Sequence, residues 1–192
     1  PFNVGTVTQA LIEEQYAPTV SGALANISSI NIQPGNGVND FFLIRGFDSL
    51  SSALVMTDGA PEPEATFYEL YNVEKVEVLK GPSGFLYGSN PLAGTVNLVR
   101  KQPVPNTMGG ARANLGRFQR IEAAADLNYG NADGDLFFRI NSVFRDTEAY
   151  RDRIEGRTFA INPAATWQID DSASLNVNFE YVAADYFPDS GL

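Results

Sequence analysis

The sequence predicts an α+β domain followed by an antiparallel β-sheet, and three observations lead there. Up to about residue 105, short apolar runs and capped helical stretches are separated by Gly and Pro. Beyond Thr107 the runs lengthen to roughly 9–13 residues and alternate apolar with polar side chains, against five or six residues for a typical globular strand. The proline-rich break from Pro103 to Pro105 lies between them and sets the expected domains at 1–105 and 106–192.

In the first domain, Phe2 to Val7 reads as a strand. Thr8 can cap a short helix carrying Leu11 and Ile12, and Thr19 a second over Val20, Ala23, Leu24 and Ile27. A polar, glycine-bearing loop runs from Gln33 to Asn39. Phe41 to Arg45, Ala53 to Thr57, Val73 to Leu79 and Thr95 to Arg100 are short and rich in branched or aromatic residues, and read as strands of one small sheet. Asp58-Gly59 is a turn pair closing the second of these, and Gly81-Pro82 is a break.

In the second domain a weak strand, Ala111 to Leu115, comes first. From Arg120 to Tyr129, Ile121, Ala123, Ala125, Leu127 and Tyr129 oppose Arg120, Glu122, Asp126 and Asn128, with Ala124 the exception. From Asp135 to Arg145, Leu136, Phe138, Ile140 and Phe144 oppose Asp135, Arg139, Asn141 and Arg145, with Phe137 and Val143 as exceptions. Thr158 to Ile169 and Ser174 to Val182 alternate in the same way, and Pro163 marks an edge or bulge. Tight polar turns at Asn131 to Gly134 and Asp170-Asp171 contrast with a longer charged loop from Asp146 to Gly156, the habit of outer-membrane barrels. A soluble β-sandwich or lipocalin-like barrel alternates as well, so alternation alone leaves both open.

Composition narrows the function. Apolar residues make up 44% of the 192, enough for a core. The net charge of -10 is spread evenly, with five Lys/Arg against ten Asp/Glu in residues 1–107 and eight against thirteen in 108–192, which argues against a nucleic-acid partner. With no Cys there is neither a disulfide nor a thiolate metal site, and with no His the usual triads and nearly all zinc chemistry are excluded. No apolar run is long enough for a transmembrane helix, and no signal peptide is expected in the stretch that opens at Pro1, which is neither basic nor apolar. Gly81 to Gly88 lacks the Lys-Ser/Thr ending of a phosphate loop. The Asn26-Ile27-Ser28 sequon is best explained by chance, and the charges from Arg145 to Arg157 as a solvated loop.

Five pieces then occur in order: Leu43-Ile44-Arg45-Gly46-Phe47, Thr57-Asp58-Gly59, Val76 to Pro82, Leu86-Tyr87-Gly88 and Gly94 to Val99 with Asn97 inside it. In that order and spacing the chain resembles the plug domain of TonB-dependent outer-membrane receptors, and within them the ferric-siderophore receptors. The resemblance covers Pro1 to about Pro103 and continues over Pro163 to Trp167 and Glu180 to Gly191. It implies an α+β plug followed by the first strands, about five, of a transmembrane β-barrel of ~22 strands, hence a piece of a longer receptor, since an open sheet edge cannot remain in lipid. The apolar sides of the strands are then expected to meet hydrocarbon and the polar sides to look inward.

The same resemblance implies import of a ferric siderophore across the bacterial outer membrane, with the plug gating the barrel and TonB acting through a segment upstream of Pro1. Partners are then TonB, the ferric siderophore and outer-membrane lipid. The plug loops near Gln33, Ser51, Ser52, Phe67 and Tyr68 are placed against the ligand, although the two aromatics also suit a core. Arg45 and Lys80 end apolar strands, and the resemblance pairs them with carboxylates of the barrel wall; a solvated strand end suits Lys80 equally well and Arg45 less well. Gly46, Asp58, Gly59, Gly81, Pro82, Tyr87, Gly88 and Asn97 belong to the plug's structural motif. The iron arrives already chelated, so no cofactor, no metal ligand and no catalytic residue are expected. Other cargo (haem, cobalamin, carbohydrate), a soluble ligand-binding module, and a carboxylate hydrolase using Asp58 and Glu77 are the alternatives.

Overall fold

The computed structural model describes residues 3–33, 39–49, 55–62, 67–80, 94–117, 120–148 and 155–187, and they fall into two compact units, residues 1–101 and 102–188. The first unit opens with strand β1 (Asn3–Thr8) and helix α1 (Gln9–Glu14), where the Thr8 hydroxyl accepts the Leu11 amide as the expected cap. Helix α2 (Val20–Leu24) follows, and β2 (Ile30–Gln33), β3 (Phe41–Ile44) and β4 (Phe47–Asp48) form a three-stranded antiparallel sheet. A second sheet has the order β1-β7-β8-β5-β6, from β5 (Val55–Thr57), β6 (Ala60–Pro61), β7 (Val73–Lys80) and β8 (Gly94–Arg100), with β5 and β8 parallel.

Two expectations are corrected here. The apolar runs do not make one sheet: Phe41–Ile44 pairs with the unanticipated strand Ile30–Gln33 in a sheet of its own. Thr19 stands at the N-cap of α2, yet its side chain makes no cap hydrogen bond and donates instead to Asp40. The helix ends at Leu24, short of Ile27, which is packed against the core from outside it. Val20 and Leu24 from the helix, Phe42 and Ile44 from β3, and Val76, Val78 and Val96 from the larger sheet are fully buried in one cluster. Each such side chain contributes about 1.5–3 kcal/mol by leaving water.

The second unit is an antiparallel sheet. Strands β9 (Met108–Leu115), β10 (Ile121–Gly130), β11 (Leu136–Glu148) and β12 (Glu155–Gln168) run in order, and both β13 (Ser174–Asn178) and β14 (Tyr181–Tyr186) pair with β12. These last two keep one register, Ala164 opposite Asn178 and Ile161 opposite Tyr181, so they are a single strand interrupted where it faces Pro163. Phe179 donates its amide to the Pro163 carbonyl at 3.0 Å, but proline has no N–H to return. The Asn162 side chain supplies the missing donor, with Nδ2 to the Phe179 carbonyl at 2.7 Å. Gly130 closes β10 where a Cβ would run into the Pro105 carbonyl, so only glycine lets the proline segment lie against the strand end.

Candidate functional site

The exposure pattern of the second unit is inverted relative to a globular sheet. On one face Ile121, Leu127, Tyr129, Phe138, Phe159 and Trp167 are exposed, while Glu122, Asn128, Arg139, Asn141, Arg145 and Asn162 are buried on the other. Water-soluble domains rarely leave an apolar patch of this extent uncovered. The register places Tyr129, Phe138 and Trp167 toward the short-turn end and ends the apolar rows, at the other end, on Asp146 and Arg157, which pair at 2.8 Å. From Leu136 to Phe144 the band runs about 27 Å along the strand at roughly 3.4 Å per residue. At a tilt of 35–45° that is about 20 Å of height, near the ~25 Å apolar belt of outer-membrane barrels.

The buried face is polar because its charges are matched in place. Glu122 accepts from Arg145 Nε at 3.0 Å, from Arg112 Nε at 3.5 Å and from Asn114 Nδ2 at 3.3 Å, all cross-strand neighbours. Arg139 makes a two-pronged pair with Asp126, 2.8 Å on each prong, and its third nitrogen donates to the Gln102 carbonyl at 2.9 Å. Such forked geometry offsets the desolvation that an isolated buried guanidinium would suffer. Asn128 donates to the Val104 and Asn106 carbonyls and accepts the Val104 amide, which ties the proline segment to the same face.

In the first unit the motif residues are joined by turns. Arg45 and Gly46 have φ of 52° and 89°, and Asp58 and Gly59 have 50° and 81°, so both pairs are two-residue hairpin turns with left-handed backbone throughout. Arg45 is exposed at its turn and does not continue strand β3. Asp58 accepts the Arg100 amide at 2.9 Å and pairs with Arg100 Nε at 2.7 Å, while the Gly59 amide donates to Asn97 Oδ1 at 2.9 Å. Asn97 in turn donates to Glu77, which is bridged to Lys75 at 2.7 Å. Asp58 and Glu77 are therefore taken up by structural partners, and the chemistry is that of a tied sheet end.

Of the ligand-facing candidates, Gln33 ends β2 with its amide donating to Asn31 Oδ1 at 2.8 Å. Phe67 and Tyr68 are half-buried, and Tyr68 packs against the core cluster. Ser51, Ser52, Gly81, Pro82, Tyr87 and Gly88, and the side chain of Lys80, lie outside the described residues. Sequence reasoning missed Asp40, which is 3% exposed and accepts hydrogen bonds from Thr19, Ser21 and Tyr68. Burial pushes its pKa up from the ordinary carboxylate value, and the bonds from Tyr68, Ser21 and Thr19 work against that shift. A lone Asp after a polar loop carried no signal for this. Among the described residues no group of three or more acidic side chains is placed to hold a metal ion.

An α+β unit carrying two hairpin turns of left-handed backbone is followed in the chain by a sheet with a buried polar face and an exposed apolar one, the facing expected of strands in a membrane β-barrel wall. Residues 1–95 match the TonB-dependent Receptor Plug Domain. The metal-pseudopaline receptor CntO of Pseudomonas aeruginosa is 38% identical over 111 residues, 57% of this chain and 16% of that protein. The catecholate siderophore receptor Fiu of Escherichia coli is 27% identical over 97% of this chain and 25% of that protein. The crystal structure of Fiu in its open form superposes on all of this chain, and 28% of that one, with a TM-score of 0.89 at 26% identity. The chain belongs to the TonB-dependent receptor family, and spans about a quarter or less of the length of these curated relatives.

Proposed function

We propose that the receptor containing this chain imports a ferric siderophore across the bacterial outer membrane, with residues 1–101 acting in the plug that gates the barrel and TonB supplying the work. The observation that carries the reading is the inverted sheet: exposed Leu127, Phe138 and Trp167 suit a hydrocarbon solvent, and buried, ion-paired Glu122, Arg139 and Arg145 suit the polar inner side of a barrel wall. A soluble binding module would need those apolar rows covered by a second protein layer. The relatives named above are receptors for chelated metal, which supports the cargo class. With Asp58 and Glu77 tied up structurally, the role assigned is binding and passage, without catalysis.

Phe67, Tyr68 and Gln33, with Ser51 and Ser52, are the residues this reading sets against the ligand. Their aromatic and polar groups suit a ferric chelate whose iron is already wrapped. Arg45 is assigned to a carboxylate of the barrel wall, as is Lys80. Its backbone supports this: an arginine held at φ 52° costs about 1–2 kcal/mol that glycine would avoid, so its side chain is kept for something other than the turn. The test is growth of an iron-starved strain carrying the full-length receptor as its sole siderophore receptor. Ferric catecholate should restore growth only while TonB is intact, and growth independent of either receptor or TonB would defeat the proposal.

A further inference from the structure

Asp40 is the only buried carboxylate among the described residues of the first unit. Its Oδ1 accepts the Thr19 hydroxyl at 3.0 Å and the Ser21 amide at 3.3 Å, and its Oδ2 accepts the Tyr68 amide at 2.9 Å. The Tyr68 carbonyl accepts the Val20 amide at 3.1 Å, the Pro18 carbonyl accepts the Leu70 amide at 2.9 Å, and Thr19 bridges Glu69. Both backbone groups of Tyr68 are thus fixed, one to the carboxylate and the other to helix α2.

A neutral cap would serve a five-residue helix as well, without the desolvation of an ion. Thr19 occupies the cap position with a hydroxyl able to do this, yet that hydroxyl is turned to Asp40. What the carboxylate adds is the union of three segments through donors alone. No neutral side chain of this size accepts on both oxygens, and Asn would set an NH2 group against either Tyr68 or the Ser21 and Thr19 pair. The raised pKa of Asp40 is consistent with a charge kept at a cost to the fold.

We propose that Asp40 is a positioning residue for ligand binding: buried and accepting from Thr19, Ser21 and Tyr68, it fixes the backbone at Tyr68 and so the direction in which Phe67 and Tyr68 present their rings. The inference rests on the reading that those rings meet the ferric chelate. It is tested on the full-length receptor in detergent, with the iron complex of 2,3-dihydroxybenzoylserine as probe. Four variants are compared, Asp40→Asn, Thr19→Val, Phe67→Ala and Tyr68→Ala, by equilibrium binding, thermal unfolding and amide hydrogen exchange.

Asp40→Asn should bind about tenfold more weakly, equivalent to ~1.4 kcal/mol. Exchange at the Tyr68 amide should accelerate while the amides of β7 and β8 keep their protection. The unfolding temperature should stay near that of the wild type, because removal of a buried charge offsets the misplaced NH2 group; a residue with only a structural role would lower it and leave affinity alone. Thr19→Val, which deletes a single donor and leaves the carboxylate in place, should weaken binding about threefold with faster exchange at the Tyr68 amide and a slightly lower unfolding temperature, and it carries the test if Asp40→Asn does not fold. Wild-type affinity in both Asp40→Asn and Thr19→Val, beside weakened Phe67→Ala and Tyr68→Ala, overturns the positioning role and leaves the ligand reading standing. Wild-type affinity in Phe67→Ala and Tyr68→Ala overturns the ligand reading, and the proposal with it.

Discussion

Replacing Glu122 by Gln tests the matched charges of the polar face with one atom changed. The carboxylate is 3% exposed and the Arg145 side chain opposite is 10% exposed, so neither charge has water to fall back on. Arg112, the second cationic partner, is 40% exposed and keeps its hydration. Losing one partner of a buried pair costs about 3–5 kcal/mol. Gln retains an acceptor for Asn114 or Arg145, which places the expected loss at the low end, about 3 kcal/mol. With a urea m-value of about 3 kcal/mol/M, the unfolding midpoint should fall by about 1 M. The assay is urea titration of the full-length receptor in lipid vesicles, reading the folded fraction by gel migration. Glu122→Leu combined with Arg145→Leu should recover wild-type stability or exceed it, since no buried charge is then left alone. An unchanged midpoint in Glu122→Gln would show that water reaches this face freely, and the ion-pair argument would be wrong.

Asn162→Ala should strip the Phe179 carbonyl of its donor and cost about 1–3 kcal/mol, seen as faster exchange in β13 and β14. Adding Pro163→Ala, which returns a backbone N–H, should restore protection; no rescue would refute the substitute-donor account. Gly130→Ala should displace the proline segment from the strand end and speed proteolysis there, and unaltered cleavage would refute the close approach. Arg45→Gly should stabilise the plug by about 1 kcal/mol in thermal unfolding while lowering uptake of the ferric chelate; full uptake would remove Arg45 from the wall contact. The raised pKa of Asp40 means that, between its folded value and the ordinary 3.8, the folded chain holds a proton the unfolded chain lacks. Stability should therefore rise as pH falls through that window, and Asp40→Asn should flatten this part of the curve; an unchanged slope would assign it to another group.

The long strands were legible because a period-two pattern sustained over ten residues, as from Ile121 to Gly130, has few other physical readings. Asp58-Gly59 was equally plain, both residues being suited to left-handed backbone. What alternation could not say was which side meets water. Phe137 and Val143, apolar on the otherwise polar side, turn out to be buried there beside Arg139 and Arg145. The strand Ile30–Gln33 escaped because four residues, Ile-Asn-Ile-Gln, exist as a strand only through pairing with Phe41–Ile44. The role of Thr19 was misjudged for a related reason. A cap motif is local, whereas Asp40 arrives from a separation of 21 residues. For the site, the Asp58-Gly59 turn fell on motif residues, but its ties to Asn97 and Arg100, like the buried carboxylate behind Tyr68, are products of tertiary packing.

The two faces of the sheet can be told apart on one strand. Through residue 192 the chain has no Cys, so single cysteines at Leu175, Asn176 and Val177 can each carry a nitroxide in the full-length receptor in bilayers. Collision with oxygen, which concentrates in hydrocarbon, is compared with collision with a water-soluble nickel chelate. Labels at 175 and 177 should favour oxygen strongly and the label at 176 should not; equal access of the nickel chelate to all three would contradict a lipid-facing sheet.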